Sequence, residues 1–224
     1  MEKELKYPLC AVTHPGGVTR GGNQNLSERK NISQFGCGIV GAAELIIYLC
    51  RHGGCSCHEL IGDIPLYDRV SLDDYNRLLR RLSSRYLPII PKSGINGLEL
   101  ALGVNLIFRK YNFPYRAYWG IGEKNLYEDI GDMLDRDTPV IISVGPNFPK
   151  VWEKHRIDLY SMRQDGELEK AASVNSHYMI VTGLDSDKIR VSSWGREFYI
   201  KRYEFDSYIK NHSSSIVCNI LHII

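Results

Sequence analysis

Several features that would settle the class of this 224-residue chain are missing from it. No apolar stretch approaches the ~18 residues that a membrane-spanning helix needs. No run of like charges reaches five, and 28 Lys+Arg stand against 26 Asp+Glu, a formal net charge of +2. The basic stripe that holds nucleic acid is therefore absent. Residues 1–30 lack the apolar core of a signal peptide, so a cytoplasmic location is expected. Neither an internal repeat nor a compositional linker is found. Six cysteines, Cys10, Cys37, Cys50, Cys55, Cys57 and Cys218, are too sparse for a disulfide scaffold, and without an export signal they are expected to be thiols. The expected partner is thus neither nucleic acid nor membrane.

What is present is a foldable core. Hydrophobic residues make up 43% and charged ones 24%, which fits a globular chain. At ~150 residues per domain, one domain with insertions is expected. Apolar positions Ile39, Val40, Ala43, Ile46, Ile47 and Cys50 recur at helical spacing over 38–51, and His52-Gly53-Gly54 stops that helix. Ser71 with Asp73 and Asp74 starts a second helix, reaching Arg85. Further helices are expected near 97–111, 124–136 and 203–210. Short β-branched runs at 139–144, 177–183, 188–192, 197–201 and 216–223 read as strands. Helices come first and strands later without βαβ alternation, which indicates an α+β fold. The first thirty residues read as a loop-like arm, and residues 146–176 as a long aperiodic insertion.

Chemistry concentrates at two places. Cys37, in Gly36-Cys37-Gly38, opens the long apolar helix. A thiol there sees the positive end of the helix dipole and unpaired N–H groups, which lower its pKa. The flanking glycines let a substrate carbonyl approach, and the Cys37 N–H with the amide of Asn31 or Gln34 can hold an oxyanion. The plainer alternative is a small buried residue at a helix start. His177 opens a strand, with Ser192-Ser193-Trp194-Gly195 following on the next one. A histidine at a strand mouth, oriented by a polar neighbour, is what a thiol's general base requires.

With these segments the chain resembles papain-like cysteine peptidases, especially the bacterial branch similar to double-glycine leader peptidases. The likeness rests on Gly36-Cys37-Gly38 before Ala42-Ala43, on His177 through Gly183 with Asp185, and on Ser192-Ser193-Trp194-Gly195. It implies a papain-like fold in one domain over 1–224: an arm at 1–30, a helical lobe at 31–137 and an antiparallel β-sheet lobe at 138–224. It also implies Cys37 as nucleophile, His177 as base and Ser192 as the residue orienting the imidazole. That last place is Asn or Asp in the family, so Asp185 or Asp187 is an alternative. The family's oxyanion glutamine sits six places before the cysteine, where this chain has Asn31, and its nearby glutamine is Gln34.

The expectation is a cysteine peptidase hydrolysing a peptide or isopeptide bond in a peptide or protein substrate, without cofactor or metal. An acyltransferase or amidase using the same pair, or an inactive peptide-binding protein of the same fold, are the alternatives. Weaker signals point elsewhere. Cys50, His52, Cys55, Cys57 and His58 cluster in sequence but match no common zinc spacing, and a structural loop is the expectation. His155 lies among Lys154, Arg156 and Asp158, which reads as a solvated face. Tyr111, Tyr115, Tyr118 and Trp119 read as core. The pairs Gly16-Gly17 and Gly21-Gly22 lack the strand–helix context of a phosphate loop.

Overall fold

The computed structural model describes residues 2–55, 58–62, 64, 69–122 and 125–224. The amino-terminal segment carries β1 (Lys3–Glu4) and the hairpin β2 (Ala11–His14) and β3 (Gly17–Arg20). Helices α1 (Lys30–Phe35), α2 (Cys37–His52) and α3 (His58–Ile61) follow, then β4 (Val70–Ser71), α4 (Leu72–Arg85) and α5 (Gly97–Lys110). The remainder runs β5 (Ala117–Trp119), α6 (Leu126–Asp135), β6 (Val140–Val144), β7 (Ile157–Met162), β8 (Leu168–Val174), β9 (His177–Leu184), β10 (Lys188–Ser193) and β11 (Arg196–Lys201). Helix α7 (Arg202–His212) and β12 (Ile220–Ile223) close it. The fold is α+β, as expected. Among the described residues no helix is long and apolar enough to cross a membrane.

The helices begin where the sequence places their caps. The Ser71 hydroxyl accepts from Asp74 N–H at 3.1 Å, and Asn96 with Glu99 forms a reciprocal capping box at the start of α5. Helix α2 is buried along most of its length, from Ile39 through Cys50. It packs on β9 and β6, the central strands of an antiparallel sheet ordered β5-β12-β6-β9-β10-β11-β7-β8, with β1 added at the far end of β9. A second, small sheet is ordered β3-β2-β4.

Two stretches differ from their sequence reading. The expected arm is a strand followed by a hairpin, and Arg20 N–H donates to Gly195 O at 2.9 Å, so the hairpin rests against the β10–β11 turn. The aperiodic insertion contains β7 and β8, a hairpin that extends the large sheet to its edge. Strand β8 is buried only at Val174 and carries the exposed Glu169 and Lys170, so a solvated, charged edge leaves no apolar alternation to read. The expectation of free thiols also fails at one place, since Cys50 is in a disulfide. A disulfide sulfur offers no thiolate to a metal, and Cys57, the other outer member of that cysteine cluster, lies outside the described residues.

Candidate active site

Helix α1 turns into α2 at Gly36. The Gly36 N–H donates to Ile32 O at 2.8 Å and Gly36 O accepts from Val40 N–H at 2.9 Å. A Cβ at Gly36 would lie 2.4 Å from Ile32 O, so only glycine permits this junction. It makes Cys37 the first residue of α2. The space beside Gly38 is occupied from within: a Cβ there would meet Ile95 at 2.6 Å and Tyr178 at 3.3 Å. That glycine therefore serves packing against Tyr178, in place of the expected approach of a substrate carbonyl.

The N–H groups of Tyr178, Gly38 and Cys37 itself all lower the pKa of the Cys37 sulfur, which is the expected helix-start effect. Burial outweighs them, and the thiol sits above its ordinary value rather than below it. His177 is the first residue of β9 and is buried, 7% exposed. Burial alone pulls its imidazole down to about 4. At neutral pH both groups are therefore uncharged. Cys37 and His177 line one narrow cleft together with Gly22, Gln24, Ser193 and Trp194. Among the described residues no side-chain hydrogen bond reaches Cys37 Sγ.

The residue that holds the imidazole is Ser193, its Oγ 2.7 Å from His177 Nε2, and not the expected Ser192. Strand register explains the correction. Ser192 lies opposite Ile180, so it shares the sheet face of Ile180 and Tyr178. His177 and Ser193 fall on the other face, because side chains alternate along a strand. The Ser192 hydroxyl donates instead to Arg20 O at 3.2 Å. Asp185 and Asp187 cannot substitute. They follow the opposite end of β9, roughly 25 Å from His177 at ~3.3 Å per residue. Asp185 Oδ1 is engaged by the Asp187 and Lys188 N–H groups, both at 2.8 Å.

Trp194 covers the imidazole, with ring centroids 4.7 Å apart and planes 24° from parallel. Ser193 pairs with Arg196, leaving Trp194-Gly195 as a two-residue hairpin loop in which both residues have positive φ, 49° and 72°. This is the arrangement of a type I′ turn, which suits the twist of the flanking strands. The turn places the indole over His177 and keeps water from its ring.

The expected oxyanion amides lie elsewhere. Asn31 and Gln34 are both exposed on α1, and Asn31 Oδ1 accepts from Ile32 N–H at 2.9 Å. The amide that does line the cleft is Gln24, largely buried, its Nε2 donating to Ser33 O at 3.1 Å. No sequence signal marked it, since it stands in the 3-10 turn 24–26 ahead of α1. Sequence reasoning also passed over Glu44, which borders the same cleft. Glu44 Oε1 accepts from Gly22 N–H at 2.9 Å and Tyr75 OH at 2.8 Å, and the Cys10 thiol donates at 3.5 Å. Burial pushes its carboxyl up to about 7. One charged residue inside the apolar run Gly41-Ala42-Ala43-Glu44-Leu45-Ile46-Ile47 was the available signal, because a lone acid on a buried helix needs partners.

Compared with family models, with curated proteins and with solved structures, the chain matches none.

Proposed function

We propose that the chain is a papain-like cysteine hydrolase, with α2 carrying the nucleophile against the sheet that carries its base, and that it cleaves a peptide or isopeptide bond. The observation that carries this reading is that the starts of α2 and β9, Cys37 and His177, line one cleft, with Ser193 holding His177 Nε2 at 2.7 Å. With Nε2–H given to Ser193, Nδ1 keeps its lone pair for the thiol proton. Because burial favours the neutral thiol and neutral imidazole, that proton moves as the sulfur attacks and not beforehand. Sγ bonds to the carbonyl carbon, the amine leaves with the proton from His177, and water then hydrolyses the thioester. The Cys37 N–H and the Gln24 amide are the donors available to the oxyanion.

A second reading, a silent fold that binds peptides without cutting them, is favoured by the same burial, which holds the Cys37 thiol above its ordinary pKa. One experiment separates the two. A peptide bearing an electrophilic warhead is incubated with the native protein and the adduct located by peptide mass mapping. Hydrolase chemistry gives an adduct on Cys37 that forms faster than on the half-buried Cys55 and is lost in His177→Ala. Equal labelling of Cys37 and Cys55 sinks the hydrolase reading, and labelling of Cys37 only after denaturation supports the silent one.

A further inference from the structure

The segment after β6 and the end of α7 bring together three side chains with no part in the cleft. Glu153 Oε2 lies 3.5 Å from His155 Nε2 and 3.8 Å from His212 Nδ1, and the three ligand atoms are all within 4.8 Å of one another. We infer that Glu153, His155 and His212 form a binding site for a divalent transition metal of the zinc type. Two imidazoles and a carboxylate are the nitrogen and oxygen donors such an ion takes, in a set that leaves one position open.

The supporting structure is built for it. Asn147, 1% exposed, accepts from His155 N–H at 3.0 Å and donates from Nδ2 to His155 O at 3.3 Å and to Tyr208 Oη at 3.1 Å. The Tyr208 hydroxyl donates in turn to Gly145 O at 2.9 Å, and Phe148 N–H donates to His212 O at 3.1 Å. The loop bearing Glu153 and His155 is thus tied to the helix bearing His212 before any ion arrives. Such backbone anchoring is what fixes metal ligands in place. Lys150 pairs with Glu153 Oε1 at 3.5 Å, leaving Oε2 toward the two rings.

Distance and access also fit. Bonds of ~2.0–2.1 Å in a tetrahedron set ligand atoms about 3.3 Å apart, close to the two glutamate–histidine distances. The imidazoles now stack, 3.7 Å between centroids and 23° from parallel, so coordination turns them out of that stack. His155, with 51% of its side chain exposed, has room to turn. The loop leaves the sheet directly after Val144, whose register partner is His177. An ion here clamps the chain that continues from the strand beside the cleft. The inference does not depend on the proposed hydrolase.

The probe is Zn²⁺ alone, titrated calorimetrically into the full chain carrying Cys37→Ala, which removes the Cys37–His177 pair as a competing binder. One ion per chain is expected, with affinity falling at least about tenfold in His155→Ala and again in His212→Ala, since even losses beyond the ligand shell reach that size. Co²⁺ in its place should give a visible ligand-field spectrum without a thiolate charge-transfer band. Far-UV circular dichroism of each ion-free variant checks folding, and His212→Asn, the milder change, must lose the ion as well. Undiminished Zn²⁺ affinity in the His155→Ala/His212→Ala double variant overturns the site, as does a thiolate band as the whole of the Co²⁺ signal.

Discussion

Helix α2 meets two buried polar clusters built on opposite plans. At its first residue, Cys37 Sγ faces backbone N–H groups alone among the described residues, those of Tyr178, Gly38 and Cys37 itself, and His177 has one side-chain hydrogen bond, to Ser193. Two turns further along, Glu44 collects donors from three separate segments: the thiol of Cys10, the N–H of Gly22 and the hydroxyl of Tyr75. Polar groups that serve stability are saturated, since an unpaired buried one costs about 1–3 kcal/mol. Groups kept for chemistry retain unused capacity, which the fold tolerates at a cost. The Glu44 cluster reads as a fastener holding the loop at Gly22 and the strand end at Cys10 onto α2. On the proposed reading the Cys37–His177 pair is the working end.

The sharpest way to break this contrast is to remove each centre. Cys37→Ala should abolish covalent labelling and turnover, and His177→Ala should slow both by about a hundredfold or more, the usual contribution of a positioned base. Cys37→Ala should leave the urea-unfolding midpoint nearly unchanged. Glu44→Ala should do the reverse in kind, lowering stability by about 3–5 kcal/mol because three buried donors lose their acceptor. Glu44→Gln keeps a carbonyl acceptor and should cost less. If Glu44→Gln instead stops labelling of Cys37 while leaving unfolding untouched, Glu44 belongs to the chemistry and the division is wrong.

A smaller effect distinguishes the neighbouring serines. Ser193→Ala should reduce labelling at Cys37 by about tenfold, the worth of one lost orienting hydrogen bond, whereas Ser192→Ala should change it little. Equal effects from both would mean that the strand register does not decide the imidazole's partner.

The smallest effect is one of pH, and the signs oppose. His177 titrates at about 4 in the folded chain against an ordinary 6.5, so its neutral form contributes stability that is complete above 6.5 and is lost as pH falls toward 4. Glu44 titrates at about 7 against 4.5, so it contributes stability that is complete below 4.5 and is lost as pH rises through 7. Each is worth on the order of 3 kcal/mol, and together they nearly cancel. Urea unfolding from pH 4 to 7 should therefore be nearly flat in the native chain as far as these two groups determine it. Relative to that slope, Glu44→Gln should add a loss of stability in acid, and His177→Gln a gain. Identical slopes in all three proteins would sink the assignment of both shifts to these residues.

How much of this was readable beforehand follows physical lines. Helices α2, α4 and α5 have strong period and identifiable end signals, strands β6 and β9 are rich in β-branched residues and largely buried, and β10 and β11 each carry buried apolar positions. Period and burial are what sequence displays best. The hairpins β2–β3 and β7–β8 were not read, because β2, β3 and β8 are short or solvent-facing and the alternation of β7 spans only Ile157 and Leu159. At the cleft, Cys37 and His177 open a helix and a strand, as their sequence context predicts. The partner serine was misplaced by one position, and in a strand one position is the opposite face. Gln24 and Glu44 reach the cleft only through tertiary packing, although a lone glutamate in an apolar helix was visible.

The order in which the site is made has its own consequence. Cys37 leaves the ribosome long before His177, since 140 residues separate positions 37 and 177. At roughly 5–20 residues per second the interval is about 7–28 s. Through that time the chain carries its thiol without the imidazole, the serine that steadies it or the indole that covers it. On the proposed reading the thiol has no base until His177 has been made, so no cutting precedes that point.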